Sequence, residues 1–160
     1  MWLQLGHGFR SFTLETGDSR LVLPKRGPVV FTLFLEHTHR VLLSCFRGAF
    51  TLDDIARCDR AVMLTLGREG PVRGIIDLSD VVSVDLPGDR LRERARQPPM
   101  AAGQARIFVA TKPAAVDFAR SYSATQREFG GVGPQVVSTR AEAYRILGLV
   151  DPKFEPLELP

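Results

Sequence analysis

Residues 72–78 read Val-Arg-Gly-Ile-Ile-Asp-Leu. The apolar centre, Gly74-Ile75-Ile76, continues until Asp77, the pattern of a strand with both faces covered. Such strands sit inside parallel sheets, because the crossover helices joining parallel strands lie over the faces. Helices should therefore flank this stretch in the chain.

Upstream, Thr51-x-x-Asp54 is a variant of the capping box that starts helices. Leu52, Ile55, Cys58, Val62 and Leu66 follow at helical spacing, and Gly67 and Gly70 are expected to close the helix. Before it, the β-branched and aromatic run Val29-Val30-Phe31-Thr32-Leu33-Phe34-Leu35 predicts a strand. Glu36-His37-Thr38-His39 reads as a hairpin turn, Arg40 to Phe46 as the return strand, and the pattern changes after Gly48. Residues 9–15 and 20–23 predict two further short strands around Gly17-Asp18, ahead of a breaker cluster from Pro24 to Pro28.

Downstream, Asp89 to Gln97 predicts a short helix of mostly Arg and Glu, stopped by Pro98-Pro99. Ala105 to Ala110 is a strand, Thr111 is placed to cap the next helix, and Pro113 suits its first turn, where a missing N–H costs nothing. Ala115, Phe118, Ala119 and Tyr122 give that helix one apolar stripe, ended by Gly130-Gly131. Pro134 to Val137 is a short strand. Thr139-x-x-Glu142 is a full capping box, with Ala143, Ile146 and Leu147 expected in the core and Gly148 as the stop. Asp151 to Pro160 should lie extended. The expected architecture is α/β: a mixed β-sheet with a leading antiparallel hairpin, then alternating strands and helices. Residues 1–27 are an N-terminal extension adding strands to the sheet, 28–148 the domain, and 149–160 a tail.

The totals set bounds on function. A chain of 160 residues, 44% hydrophobic and 24% charged, has the size and composition of one globular domain. Its formal net charge of +3 is too small to argue for nucleic acid. Met1 to Gly6 lacks the basic and long apolar regions of a signal peptide, and Val29 to Leu35 is far shorter than the ~20 residues of a spanning helix. A cytoplasmic location without a membrane span is the expectation. Cys45 and Cys58 then read as reduced core residues.

No stretch carries a catalytic signature. His37 and His39 share one face of an extended segment, but nothing nearby completes the roughly four ligands of a closed metal site. Gly130-Gly131-Val132-Gly133 follows a helix and precedes a strand, the reverse of a phosphate loop. Asp77, Asp80 and Asp85 lie after the apolar strand core, where function is common, yet no His or Lys pairs with them for acid–base work. Capping of the next helix is the better role for Asp85 and Asp89. Ser79 and Ser83 lack the Gly-x-Ser-x-Gly elbow. Arg90, Arg92, Arg94 and Arg96 spread around a helix and read as a solvated face. No catalytic, metal or cofactor residue is assigned, and no cofactor is expected.

Three stretches together resemble the STAS domain, the fold of bacterial anti-anti-sigma factors. They are Gly74 to Gly88, read as a central strand and following loop; Arg106–Ala110 with Ala115–Arg120; and Val136 to Leu147. The resemblance covers roughly residues 28–148. It implies a non-catalytic regulatory module that binds a protein partner through Asp85, Leu86, Pro87, Gly88, Arg90 and Arg92. Anti-anti-sigma factors carry a phosphorylated serine in the loop, and Leu86 stands there in this chain, so the phosphoserine switch should be missing. Self-association through the edge of the N-terminal sheet is a further expectation. The stretches also resemble the small proteins grouped as STAS/SEC14-like, and the alternative is a carrier of a small apolar molecule or lipid, implied by that SEC14-like side together with the apolar and aromatic content of Val29–Phe46 and Phe118–Phe129 and requiring a lined pocket.

Overall fold

The computed structural model describes residues 31–158; the two strands expected at 9–15 and 20–23, and the extension over 1–27, lie outside them. The described chain is α/β. The hairpin is β1 (Phe31–Glu36) and β2 (Val41–Thr51), paired antiparallel from Phe31 against Phe46 to Glu36 against Val41. Then come α1 (Leu52–Glu69), β3 (Arg73–Asp85), α2 (Gly88–Arg96), β4 (Arg106–Val109), α3 (Pro113–Glu128), β5 (Gln135–Val137), α4 (Arg140–Leu147) and β6 (Glu155–Pro156). The sheet order is β5-β4-β3-β2-β1-β6, parallel from β2 through β5 and antiparallel at β1 and β6.

This order explains the layers. Each crossover from β2 to β5 moves to the next position in the same direction. Right-handed crossovers that all step one way place their helices on one face. One core cluster accordingly joins α1, α2 and α3 to Leu42, Phe46, Phe50 and Phe108 of the sheet. The opposite face is closed by α4, whose Ala143 and Leu147 pack on Val41, Leu43, Ile75 and Ile107. Ile75 is fully buried, as its reading as a strand covered on both sides required.

Both capping boxes form. The Thr51 hydroxyl accepts from the Asp54 N–H while the Asp54 carboxylate accepts from the Thr51 N–H, and Thr139 and Glu142 do the same for α4. Gly148 ends α4 in the left-handed conformation. The stripe Ala115, Phe118, Ala119, Tyr122 is buried along α3.

Several details differ from expectation. The strand of 73–85 runs well beyond Leu78, because β2 also continues past Gly48 and offers it a partner out to Thr51 against Asp85. Gly48, at φ 77°, allows the register shift that keeps the pair together. Asp80 and Asp85 therefore lie on a strand, and the loop shrinks to Leu86 and Pro87. Neither Asp85 nor Asp89 caps α2: the N-cap is Pro87, with no side-chain bond. Thr111 does not cap α3, whose N-cap is Lys112. Gly67 lies inside α1, which ends at Gly70 instead. Ile146 is 41% exposed, since α4 turns only Ala143 and Leu147 to the sheet. The tail adds Glu155 and Pro156 to β1, occupying part of the edge on which self-association was expected. No described helix is long and apolar enough to cross a membrane.

Candidate functional site: an apolar cavity beneath the first helix

Five of the six residues expected to meet a partner are exposed. Asp85 ends β3, Pro87 turns the chain, and Gly88, Arg90 and Arg92 lie on the first turns of α2. Arg90 pairs with Glu93 at 3.0 Å on the surface. Leu86 is different: it is half-buried against the core shared by α1, α2 and α3.

Leu86 lines a cavity of about 150 Å³ between α1, α2, α3 and the sheet. The reason is visible along α1. Leu52, Ile55, Val62 and Leu66 hold the expected helical spacing, yet all four are only half-buried. Cys58, Ala61 and Thr65 between them are buried, so the helix packs on the core through its smaller residues while the larger side chains line the space. Phe46, Phe50, Phe108, Phe118 and Tyr122 form another wall. Their rings interlock edge-on, with centroids 4.8 Å apart for Phe46–Phe50, 5.1 Å for Phe50–Phe118 and 5.8 Å for Phe108–Tyr122. Each such pair adds about 0.5–1.5 kcal/mol beyond its buried area, so this wall is firm. Leu91 of α2 and Pro99, Met100 and Ala101 of the following loop complete the lining.

Polar groups gather at one end. Arg94 reaches from α2 to Asp59 of α1, and its Nη1 lies 3.5 Å from the Tyr122 hydroxyl. Arg106, at the start of β4, also lines the space, and its Nη2 donates to the Val132 carbonyl at 2.5 Å. Burial pushes the Tyr122 hydroxyl pKa up, against the pull of the two guanidiniums. Beside it, Gln126 Nε2 donates to the Tyr122 oxygen at 3.4 Å, while the buried Gln126 Oε1 has no partner among the described residues. The thiol of Cys58, next to Asp59 on α1, is pushed up to about 12 by burial, with the Ser44 hydroxyl working against that shift. A thiol held protonated in this way packs rather than reacts.

The opposite face of the sheet holds a separate cluster. Asp77 is 3% exposed; its Oδ1 accepts from the Ser79 N–H at 2.8 Å and its Oδ2 from Arg140 Nε. Arg140 also approaches Cys45 Sγ at 3.2 Å. Burial raises the Cys45 pKa, and Arg140 opposes the rise. Both carboxylate oxygens of Asp77 have partners, which describes a clamp between β3 and α4. His37 and His39 occupy the hairpin turn and face different carboxylates, Glu155 at 3.6 Å and Glu36 at 3.2 Å. Among the described residues no three His, Cys, Asp or Glu side chains group closely enough for a metal ion.

Sequence reading missed Asp59, Arg94 and Arg106. Arg94 was hidden among four alternating arginines, although Leu91 and Ala95, one helical turn apart, mark the inward face of α2 next to it. No family model matches the chain, and no curated protein matches it.

Proposed function

We propose that the protein is a non-catalytic binding module that takes a small apolar molecule into the cavity between α1, α2 and the sheet. The observation that carries this reading is the half-buried apolar stripe of α1. An amphipathic helix normally buries its stripe against the sheet, because each buried Leu or Ile side chain is worth about 1.5–3 kcal/mol. Leu52, Ile55, Val62 and Leu66 forgo part of that gain in favour of a space lined chiefly by carbon. Apolar lining with a few polar groups at one end is the general form of a small-molecule site. The pocket draws on Phe46, Phe118 and Tyr122 from the two segments whose aromatic content suggested a carrier. Native mass spectrometry of protein purified gently from its own host tests the reading. A small-molecule adduct lost on denaturation supports it. A bare mass, joined to failure of apolar probes to shift the amide resonances of α1 and β4, counts against it.

The second reading is the STAS-like protein-interaction module of the resemblance. It is favoured by the exposure of Asp85, Pro87, Gly88, Arg90 and Arg92, which follow one another closely in the chain. Because Leu86 lines the cavity, Arg92→Glu is the cleaner probe of this surface: a lost partner with an intact fold supports the module, and unchanged binding opposes it. Cytoplasmic residence fits either reading.

A further inference from the structure

The charge at the polar end of the cavity specifies a head group, an inference that rests on the apolar-ligand reading above. Arg94 is satisfied by a bidentate bond to Asp59. Arg106 is not matched in this way. It is half-buried, it gives one bond to a neutral carbonyl, and among the described residues no carboxylate lies within ion-pair distance. Burial disfavours its charge, and so does the neighbouring Arg94; only the Tyr122 hydroxyl eases it. The lining thus holds two guanidiniums and one carboxylate, and that carboxylate is taken up by Arg94. Drawing a charge out of water is costly unless it is paired or hydrogen-bonded, and Arg106 has a single bond to offset that cost.

We infer that the cavity binds a small monocarboxylate, with its ring or short chain among the phenylalanines and its carboxylate on Arg106 beside Tyr122. One unmatched positive charge calls for one negative charge. The planar guanidinium fork suits a carboxylate in two-pronged geometry. The Tyr122 oxygen accepts from Gln126, which leaves the hydroxyl proton free to donate to the same ligand oxygen. Size sets the rest: an apolar cavity of roughly 150 Å³ accepts a body the size of benzene, which matches the 150 Å³ found here.

Benzoate, benzyl alcohol and benzylamine share one ring and differ in head-group charge, so titrating each into the uniformly ¹⁵N-labelled full chain isolates the head group. Benzoate should shift the amides around Arg106 and Tyr122 and bind about tenfold more tightly than benzyl alcohol, as a charge-assisted hydrogen bond implies. Benzylamine should bind most weakly. Arg106→Met should reduce benzoate to the level of benzyl alcohol without changing the alcohol, and Arg106→Lys should retain part of the preference. Equal binding of benzoate and benzyl alcohol would overturn the carboxylate assignment and leave the apolar site standing. A preference that survives in Arg106→Met would remove Arg106 from the role. Binding of none of the three would overturn both the head group and the cavity reading. Should Arg106→Met not fold, the comparison of ligands on the unaltered protein still decides.

Discussion

Arg94 of α2 closes a two-pronged ion pair on Asp59 of α1, Nε to Oδ2 at 2.8 Å and Nη2 to Oδ1 at 3.0 Å. The pair ties one helix to the other at the polar end of the cavity. Fork-to-fork geometry fixes orientation as well as distance. Arg94→Met keeps much of the apolar stem and removes the fork. It should cost about 1–2 kcal/mol, the lower part of the range for bonds to charged groups, because Asp59 is about one-third exposed. Urea unfolding measures the loss. Amide hydrogen exchange should show faster opening in α2 than in β3; uniform acceleration would mean that the pair holds the whole domain and not this spacing.

The clamp on the other face predicts an asymmetry. Asp77 is buried and Arg140 is 46% exposed. Removing Arg140 strands a buried carboxylate with only the Ser79 N–H as partner, whereas removing the charge of Asp77 lets Arg140 turn to water. Arg140→Ala should therefore cost about 2–3 kcal/mol and Asp77→Asn about 1 kcal/mol. Paired denaturation curves test the order, and a larger loss for Asp77→Asn would show that the carboxylate is held mainly by its backbone contact. Binding of an apolar probe should be unchanged in both, since the clamp and the cavity lie on opposite sides of the sheet.

The fold was legible because its signals are local. Thr51 with Asp54 and Thr139 with Glu142 announce helix starts within four residues, and the alternation of apolar runs with such starts implies parallel pairing. The length of β3 was not legible. Its outer half, Ser79 to Asp85, mixes Asp, Ser and Val, and becomes a strand because β2 lies alongside it as far as Thr51. That partner is set by tertiary pairing, which overrides local preference. The cavity was hidden for a similar reason. The stripe Leu52, Ile55, Cys58, Val62, Leu66 is the same whether a helix packs flush or stands away. Only the bulk of the phenylalanine wall and the loop Pro99–Ala101 decide which. Arg106 looked like an ordinary strand residue, and its lack of a carboxylate partner among the described residues is a property of space.

Acid should loosen the hairpin. Burial desolvates Glu36 and resists its charge, but bonds from the His39 backbone and ring and from the Thr38 backbone outweigh this and hold its carboxyl below the ordinary 4.5. The folded chain thus binds the Glu36 proton less readily than the unfolded chain. The resulting stability is complete above the ordinary carboxylate range and is lost as pH falls below 4.5 through the folded value. Urea midpoints measured from pH 7 to pH 3 should fall in that acid window, and Glu36→Gln should flatten that part of the profile. A Glu36→Gln profile parallel to that of the unaltered protein would assign the acid sensitivity to other carboxylates.

Two glycines should respond to alanine with opposite signs. Gly133 lies where the chain from α3 passes close to the approach to β5. A Cβ there would stand 2.3 Å from the Ser123 carbonyl oxygen and 2.6 Å from Ser123 Oγ, and that hydroxyl is itself tied to the Pro134 carbonyl at 2.6 Å. Neither atom can yield without moving α3 or breaking a buried bond, so Gly133→Ala should cost about 3 kcal/mol, the upper end for overpacking. Gly67 is exposed within α1 and a Cβ would meet nothing within 4 Å. Alanine there restricts the unfolded chain and suits a helix, so Gly67→Ala should add about 0.5–1 kcal/mol. Thermal midpoints of the two variants separate the effects. A neutral Gly133→Ala would mean that the α3–β5 approach relaxes freely. A destabilising Gly67→Ala would mean that α1 needs give at that point, as a helix flanking a cavity that admits a ligand would.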